Sequence, residues 1–178
     1  IGLLPWSEVN ELWQRGIAMK VWDIETRKSF MAWRLGGTYH ADVEPLTKED
    51  TAILKEICGG QWTSRRIPVL VEIHGRLIAA SMFPYPHGRE AIHNNGFRGQ
   101  FCIHFLGSRV HRTGRVDPSH QEAIFKAAEV YRTWLTSTGP ETEVQGEVEV
   151  FVPEDEVKTD DSGAVAEVLS PESKEEEL

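Results

Sequence analysis

Ile67-Pro68-Val69-Leu70-Val71-Glu72-Ile73-His74-Gly75-Arg76-Leu77-Ile78-Ala79-Ala80-Ser81 is the stretch that decides the fold class. Val69, Val71 and Ile73 alternate along a first arm, and Leu77 to Ala80 are continuously apolar, as in a buried central strand. His74-Gly75 between them reads as a hairpin turn. A second hairpin is predicted upstream, with arms Lys20 to Ile24 and Ser29 to Arg34 around the polar Glu25-Thr26-Arg27-Lys28, and Gly36-Gly37 breaks its second arm. Phe101 to Leu106 adds a short apolar strand.

Three segments read as helices. Leu4 to Arg15 carries Val9, Leu12 and Trp13 on one face, with Ser7 as its expected cap. Thr47 to Cys58 begins with a capping Thr47, has Glu49 and Asp50 in its first turn, and presents Ile53, Leu54 and Ile57 as an apolar stripe. Asp117-Pro118 opens a third helix through Leu135, with Ile124, Tyr131 and Trp134 on its core side. The expected class is therefore α+β: a mixed or antiparallel sheet, as a small sandwich or barrel, flanked by two or three helices.

Charge divides the 178 residues into two parts. Of 28 acidic and 19 basic side chains, 14 acidic residues and 2 lysines lie between Glu141 and Leu178, a net of −12; residues 1–140 keep 14 acidic and 17 basic, a net of +3. The predicted organisation is one domain over 1–140 and an acidic, disordered tail over 141–178. Glu147 to Val152 within that tail alternates as an edge strand would. A +3 domain without clustered Lys/Arg among aromatics argues against a nucleic-acid partner. No apolar run approaches the ~20 residues of a membrane span. The start at Ile1 fits a removed export signal, anchor or preceding domain.

Four of the seven histidines, His87, His93, His104 and His111, share one window with Cys102 and with the longest irregular loop, Pro84 to Gly99. A thiol attacks carbonyls as thiolate and needs an imidazole to take its proton. His87-Gly88 followed by Gly99-Gln100-Phe101-Cys102-Ile103-His104-Phe105 places a histidine 15 positions before a cysteine that enters a strand. Cys58, ending a helix before Gly59-Gly60, reads instead as a buried small hydrophobe. His74 reads as solvated in its turn, and His120 as a cap or packing residue.

Over Lys20 to His111 these pieces resemble the catalytic domain of L,D-transpeptidases, enzymes that cross-link peptidoglycan. Gln100-Phe101 stands where that family has His-Gly before the cysteine, and His104 stands at a usual arginine. A group of Firmicute-type, cell-wall-associated proteins also looks similar at Gly37-Thr38-Tyr39-His40-Ala41-Asp42-Val43-Glu44-Pro45 and at the two motifs above. The resemblance implies a secreted bacterial transferase, extracytoplasmic or wall-associated, acting on peptidoglycan stem peptides without a cofactor. Cys102 would be the nucleophile, His87 the base, and His104 or His111 would orient the site. Backbone around Phe101–Cys102 would hold an oxyanion, and Gly88, Ser108, Arg109 and His111 would meet substrate.

Two other readings stand beside it. His40-Ala41-Asp42 has the one-residue gap that puts two side chains on one strand face, and with His104 and His111 it could bind zinc for amidase or peptidase chemistry, Glu44 serving as general base. The missing His-Gly before Cys102 suits a degenerate peptidoglycan-binding module that lacks chemistry. Trp62-Thr63-Ser64-Arg65-Arg66 offers a basic anchor for a substrate carboxylate or phosphate.

Overall fold

The hairpin read from Ile67 to Ser81 is the center of the computed structural model, which describes residues 2–136. The tail over 141–178, with its strand-like Glu147 to Val152, lies outside the described residues. Strand β4 (Ile67–Ile73) turns at His74 and Gly75 into β5 (Arg76–His87). Both turn residues have positive φ, 49° and 71°, the backbone whose twist matches a two-residue hairpin. The upstream hairpin forms β1 (Ala18–Asp23) and β2 (Ser29–Gly36), followed by β3 (Ala41–Pro45) and, after a long loop, β6 (Gln100–His104). All neighbours pair antiparallel in the order β1-β2-β3-β6-β5-β4, and β1 pairs with β4 to close a barrel. Among the described residues, no helix is long and apolar enough to cross a membrane.

Alternation along the strands fills the barrel with Met19, Val21, Phe30, Val43, Val71, Ile78, Met82, Phe101 and Ile103. The remaining apolar surface is covered from outside. Helix α3 (Pro118–Thr136) lays Ile124, Ala127 and Ala128 on Leu70 and Ala79 of the β4–β5 wall. The loop after β5 packs Ile92 against Ala18 and Trp33. Helix α1 (Trp6–Leu12) and helix α2 (Lys48–Ile57) add Trp6, Val9, Leu54 and Ile57 to the interior cluster. The histidine cluster lies on the outer face where β3, β6 and β5 meet, beside the first turn of α3.

Three details differ from expectation. Ser7 lies inside α1, whose N-cap is Pro5. Strand β3 extends the strand face expected at His40 to Asp42 as far as Pro45, although Asp42 and Glu44 interrupt its apolar residues; both acids point out of the barrel, where imidazoles and backbone N–H groups receive them. Strand β5 continues through Pro84 and Pro86 to His87, where a loop was expected. Its pairing with β4 ends at Met82, so the prolines sit where no N–H is required on that side.

The cap of α2 is as expected. Thr47 Oγ1 accepts the Asp50 N–H at 3.1 Å, and Asp50 Oδ2 accepts from Thr47 N at 3.0 Å. The other Asp50 oxygen accepts the Met31 N–H at 2.7 Å and so ties the helix to β2. Asp50→Ala should lower unfolding stability by about 2 kcal/mol, the typical effect of stranding buried donors. Urea denaturation checks it, with Asp50→Asn restoring part of the loss.

Candidate functional site

Because Ala41, Val43, Phe101, Ile103 and Met82 point into the barrel, the pleat turns Asp42, Cys102, His104, Phe83 and Ser81 outward. Register assembles them: Asp42 and Phe83 both lie opposite Cys102, and Ser81 lies opposite His104. The segment after β6 folds back as a roof. Arg109 N–H donates to Tyr39 O at 3.0 Å, and Gly107 N–H donates to Gln121 Oε1 at 3.1 Å. His40, Arg66, Phe83, His87, Cys102, His104, Val110, His111, Arg112 and His120 enclose a cavity of about 230 Å3. A larger cavity of about 520 Å3, between β4 and α3, is lined by mixed charges with no cysteine or histidine, so the cysteine and histidines gather at the smaller one.

The cysteine and histidine expected to form a pair do meet. Cys102 Sγ is 3.2 Å from His87 Nε2. The register between β5 and β6 slips between Phe83 and His87, so that His87 faces Gln100 and becomes the diagonal neighbour of Cys102. The same bulge presents the Tyr85 carbonyl to His87 Nδ1 at 2.8 Å. A carbonyl only accepts, so Nδ1 carries the proton of that bond and Nε2 is the nitrogen aimed at sulfur.

A third group competes for the thiol. Asp42 Oδ1 lies 3.7 Å from Cys102 Sγ. Burial, and then the charge and hydrogen bonding of Asp42, push the thiol well above its ordinary value. Cys102 therefore rests as a thiol. Cys58 is raised to about 11 by burial, ahead of the opposing Arg65 charge, and both cysteines are free. Burial works against the Asp42 charge too, but the imidazoles of His40 and His111 outweigh it and hold the carboxyl below the usual range.

The other histidines form a ladder. His40 stacks on His104 with ring centroids 4.2 Å apart, and His104 on His120 at 3.7 Å. Burial drives the His104 pKa far down, assisted by the neighbouring imidazoles and Arg66, and lowers that of His120 to about 3, with Arg66 assisting and Asp117 opposing. His104 thus lines the cavity as a neutral wall rather than as a proton carrier. His120 is held by Ser81 Oγ at 2.8 Å. Its packing role was expected, but its place in this wall was not, because β6 and α3 are joined only in the fold.

The remaining expected residues separate. His111 reaches the cavity, its Nε2 3.5 Å from Asp42 Oδ2. Ser108 is fully buried and its Oγ accepts the Phe105 N–H, so it shapes the roof rather than meeting substrate. Arg109 contributes its carbonyl to His40 while its side chain stays outside the lining. Gly88 follows the bulge with φ of 71° and is not part of the lining. Glu44 binds the N–H groups of Ala91 and Ile92 and anchors the covering loop, away from any general-base position. Backbone N–H groups at Phe101–Cys102 lie in a strand flanked on both sides, so the charged donors facing the cavity are Arg66 and Arg112. Arg66, from the basic stretch before β4, is oriented by Asp117 at 2.8 Å. Comparison with protein-family models, curated proteins and solved structures finds no match to this chain.

Proposed function

We propose that this domain is a cysteine acyl-transfer enzyme of the L,D-transpeptidase type, acting on a peptide carbonyl of peptidoglycan stem peptides outside the cytoplasm. The observation that carries the reading is the 3.2 Å approach of Cys102 Sγ to His87 Nε2, with Nδ1 held by Tyr85 O. This is the nucleophile–base–orienter arrangement that covalent catalysis requires. The choice of peptidoglycan rests on the resemblance in the His87-Gly88 and Cys102 motifs. Two arginines on the cavity suit the carboxylates of such peptides.

In the proposed step the thiol proton passes to His87 Nε2 as sulfur bonds to the carbonyl carbon. The tetrahedral oxygen gains its negative charge beside Arg66 and Arg112. Collapse breaks the C–N bond, and His87 returns the proton to the departing amine. An acceptor amine or water then cleaves the thioester, and the proton follows the same route back to sulfur.

Cys102→Ala should abolish turnover of a stem-peptide donor and the corresponding thioester mass on the protein, while the melting curve stays that of the parent. Turnover that survives the substitution sinks the mechanism. A parent protein that forms no thioester but sediments with sacculi would instead be the non-catalytic wall-binding module.

A further inference from the structure

On the rim of the same cavity we infer that His40, Asp42 and His111 form a binding site for one divalent transition-metal ion of the zinc class. The ligand atoms of these three residues lie within 4.8 Å of one another, close enough to converge on a single ion. The inference is independent of the acyl-transfer reading, since it uses neither Cys102 nor His87.

His40 supplies the decisive observation. The ring is only 2% exposed, and its Nδ1 donates to the Arg109 carbonyl at 2.7 Å. That bond leaves Nε2 pointing toward Asp42, with Oδ1 3.2 Å away. The distance is that of an ion pair, but Nε2 is fully buried and makes no hydrogen bond of proper geometry. A buried nitrogen without a partner is costly unless something else satisfies it. A cation between nitrogen and carboxylate does so. The carbonyl on the other ring nitrogen is the usual support of a metal-binding imidazole, because it fixes both tautomer and orientation.

The other two ligands complete the set from different elements. Asp42 is the outward residue of β3, and the His111 ring stands nearly perpendicular to His40, 65° between planes and 4.4 Å between centroids. His111 is half exposed, which gives an ion a route in from solvent. Two imidazoles and a carboxylate are a ligand set that zinc, cobalt(II) and their neighbours favour, with a fourth position left open. His104, expected to share in such a site, lies behind His40 in the ring stack and outside the group.

The test is titration of the chelator-stripped full chain with Co2+, read by its visible d–d bands, then with Zn2+ in competition. The expected result is one equivalent bound per chain and displaced by Zn2+, with Asp42→Asn and His111→Ala each weakening binding at least tenfold. Cys102→Ala should retain the bands. The parental melting curve should persist in His111→Ala, which removes an exposed ring. Absence of bands in the parent, equal binding in Asp42→Asn and His111→Ala, or loss of binding in Cys102→Ala would each overturn the three-residue site.

Discussion

His87→Ala should slow acylation of Cys102 by about 10²- to 10⁴-fold, the range that a positioned general base contributes. The size of the effect follows from the surroundings of the thiol. Burial and Asp42 keep sulfur protonated, so little thiolate exists before reaction. In the proposed step proton removal coincides with bond formation, and His87 Nε2, 3.2 Å from sulfur, would be the acceptor. Asp42, at 3.7 Å, is the alternative, but its carboxyl is held below the usual range and makes a weak base. The measurement is the single-turnover rate of thioester formation in a Cys58→Ala background, which removes the second thiol. Substrate affinity should change little, because the loss is in proton transfer. A decrease of less than about threefold would remove His87 from the mechanism, whether or not Cys102 remained essential.

Arg34→Met should cost about 3–5 kcal/mol of unfolding free energy, a large share of the roughly 5–15 kcal/mol that a domain of this kind possesses. Arg34 is 2% exposed at the end of β2 and ties α1 to the barrel. Its guanidinium donates to the Trp13 carbonyl, to Asn10 Oδ1 at 2.6 Å, and to the carbonyls of Gly36 and Gly37 at 3.0 and 3.1 Å. The ring of Trp6 covers it at 4.9 Å. Burial, with Arg15 nearby, lowers its pKa from 12.5 to about 10, which still leaves it charged at neutral pH. Methionine preserves much of the volume but leaves those buried acceptors without a donor. Lysine keeps the charge without the planar fork and should recover less than half of the loss. Urea denaturation measures both; a loss below about 1 kcal/mol in Arg34→Met would show that α1 is held by apolar packing alone.

Local chemistry made part of this molecule readable before its fold. The His74-Gly75 turn, the Thr47 cap and the apolar face of α3 are written in contiguous residues, and each forms where expected. The approach of Cys102 to His87 was legible as a 15-residue separation ending in a strand, although its geometry depends on a bulge that no pattern announces. Residues joined only by topology escaped. His120 reaches the cavity because α3 starts beside Ser81; Arg66 was legible as part of a basic anchor, but its place beside Cys102 depends on where β4 begins. Ser108 was misjudged because a buried turn hydroxyl and a substrate-binding one have the same letter in a loop. The strand face at His40 and Asp42 was legible, but not the extent of β3 nor the partners of its acids, since nothing nearby in sequence indicates that His40, His111 and the 91–92 backbone will receive them.

The bulge at Pro84 to Pro86 has a consequence for how such a site changes over time. Strand pairing on both sides of it keeps the barrel closed whatever its length, while the side on which His87 emerges depends on the parity of the residues it contains. Losing one residue there would turn the imidazole away from sulfur and leave the scaffold standing. The Cys102–His87 approach and the barrel can therefore be inherited separately in this chain: a single-codon deletion would part the pair while the strands stay in register, and a single-codon insertion would restore it.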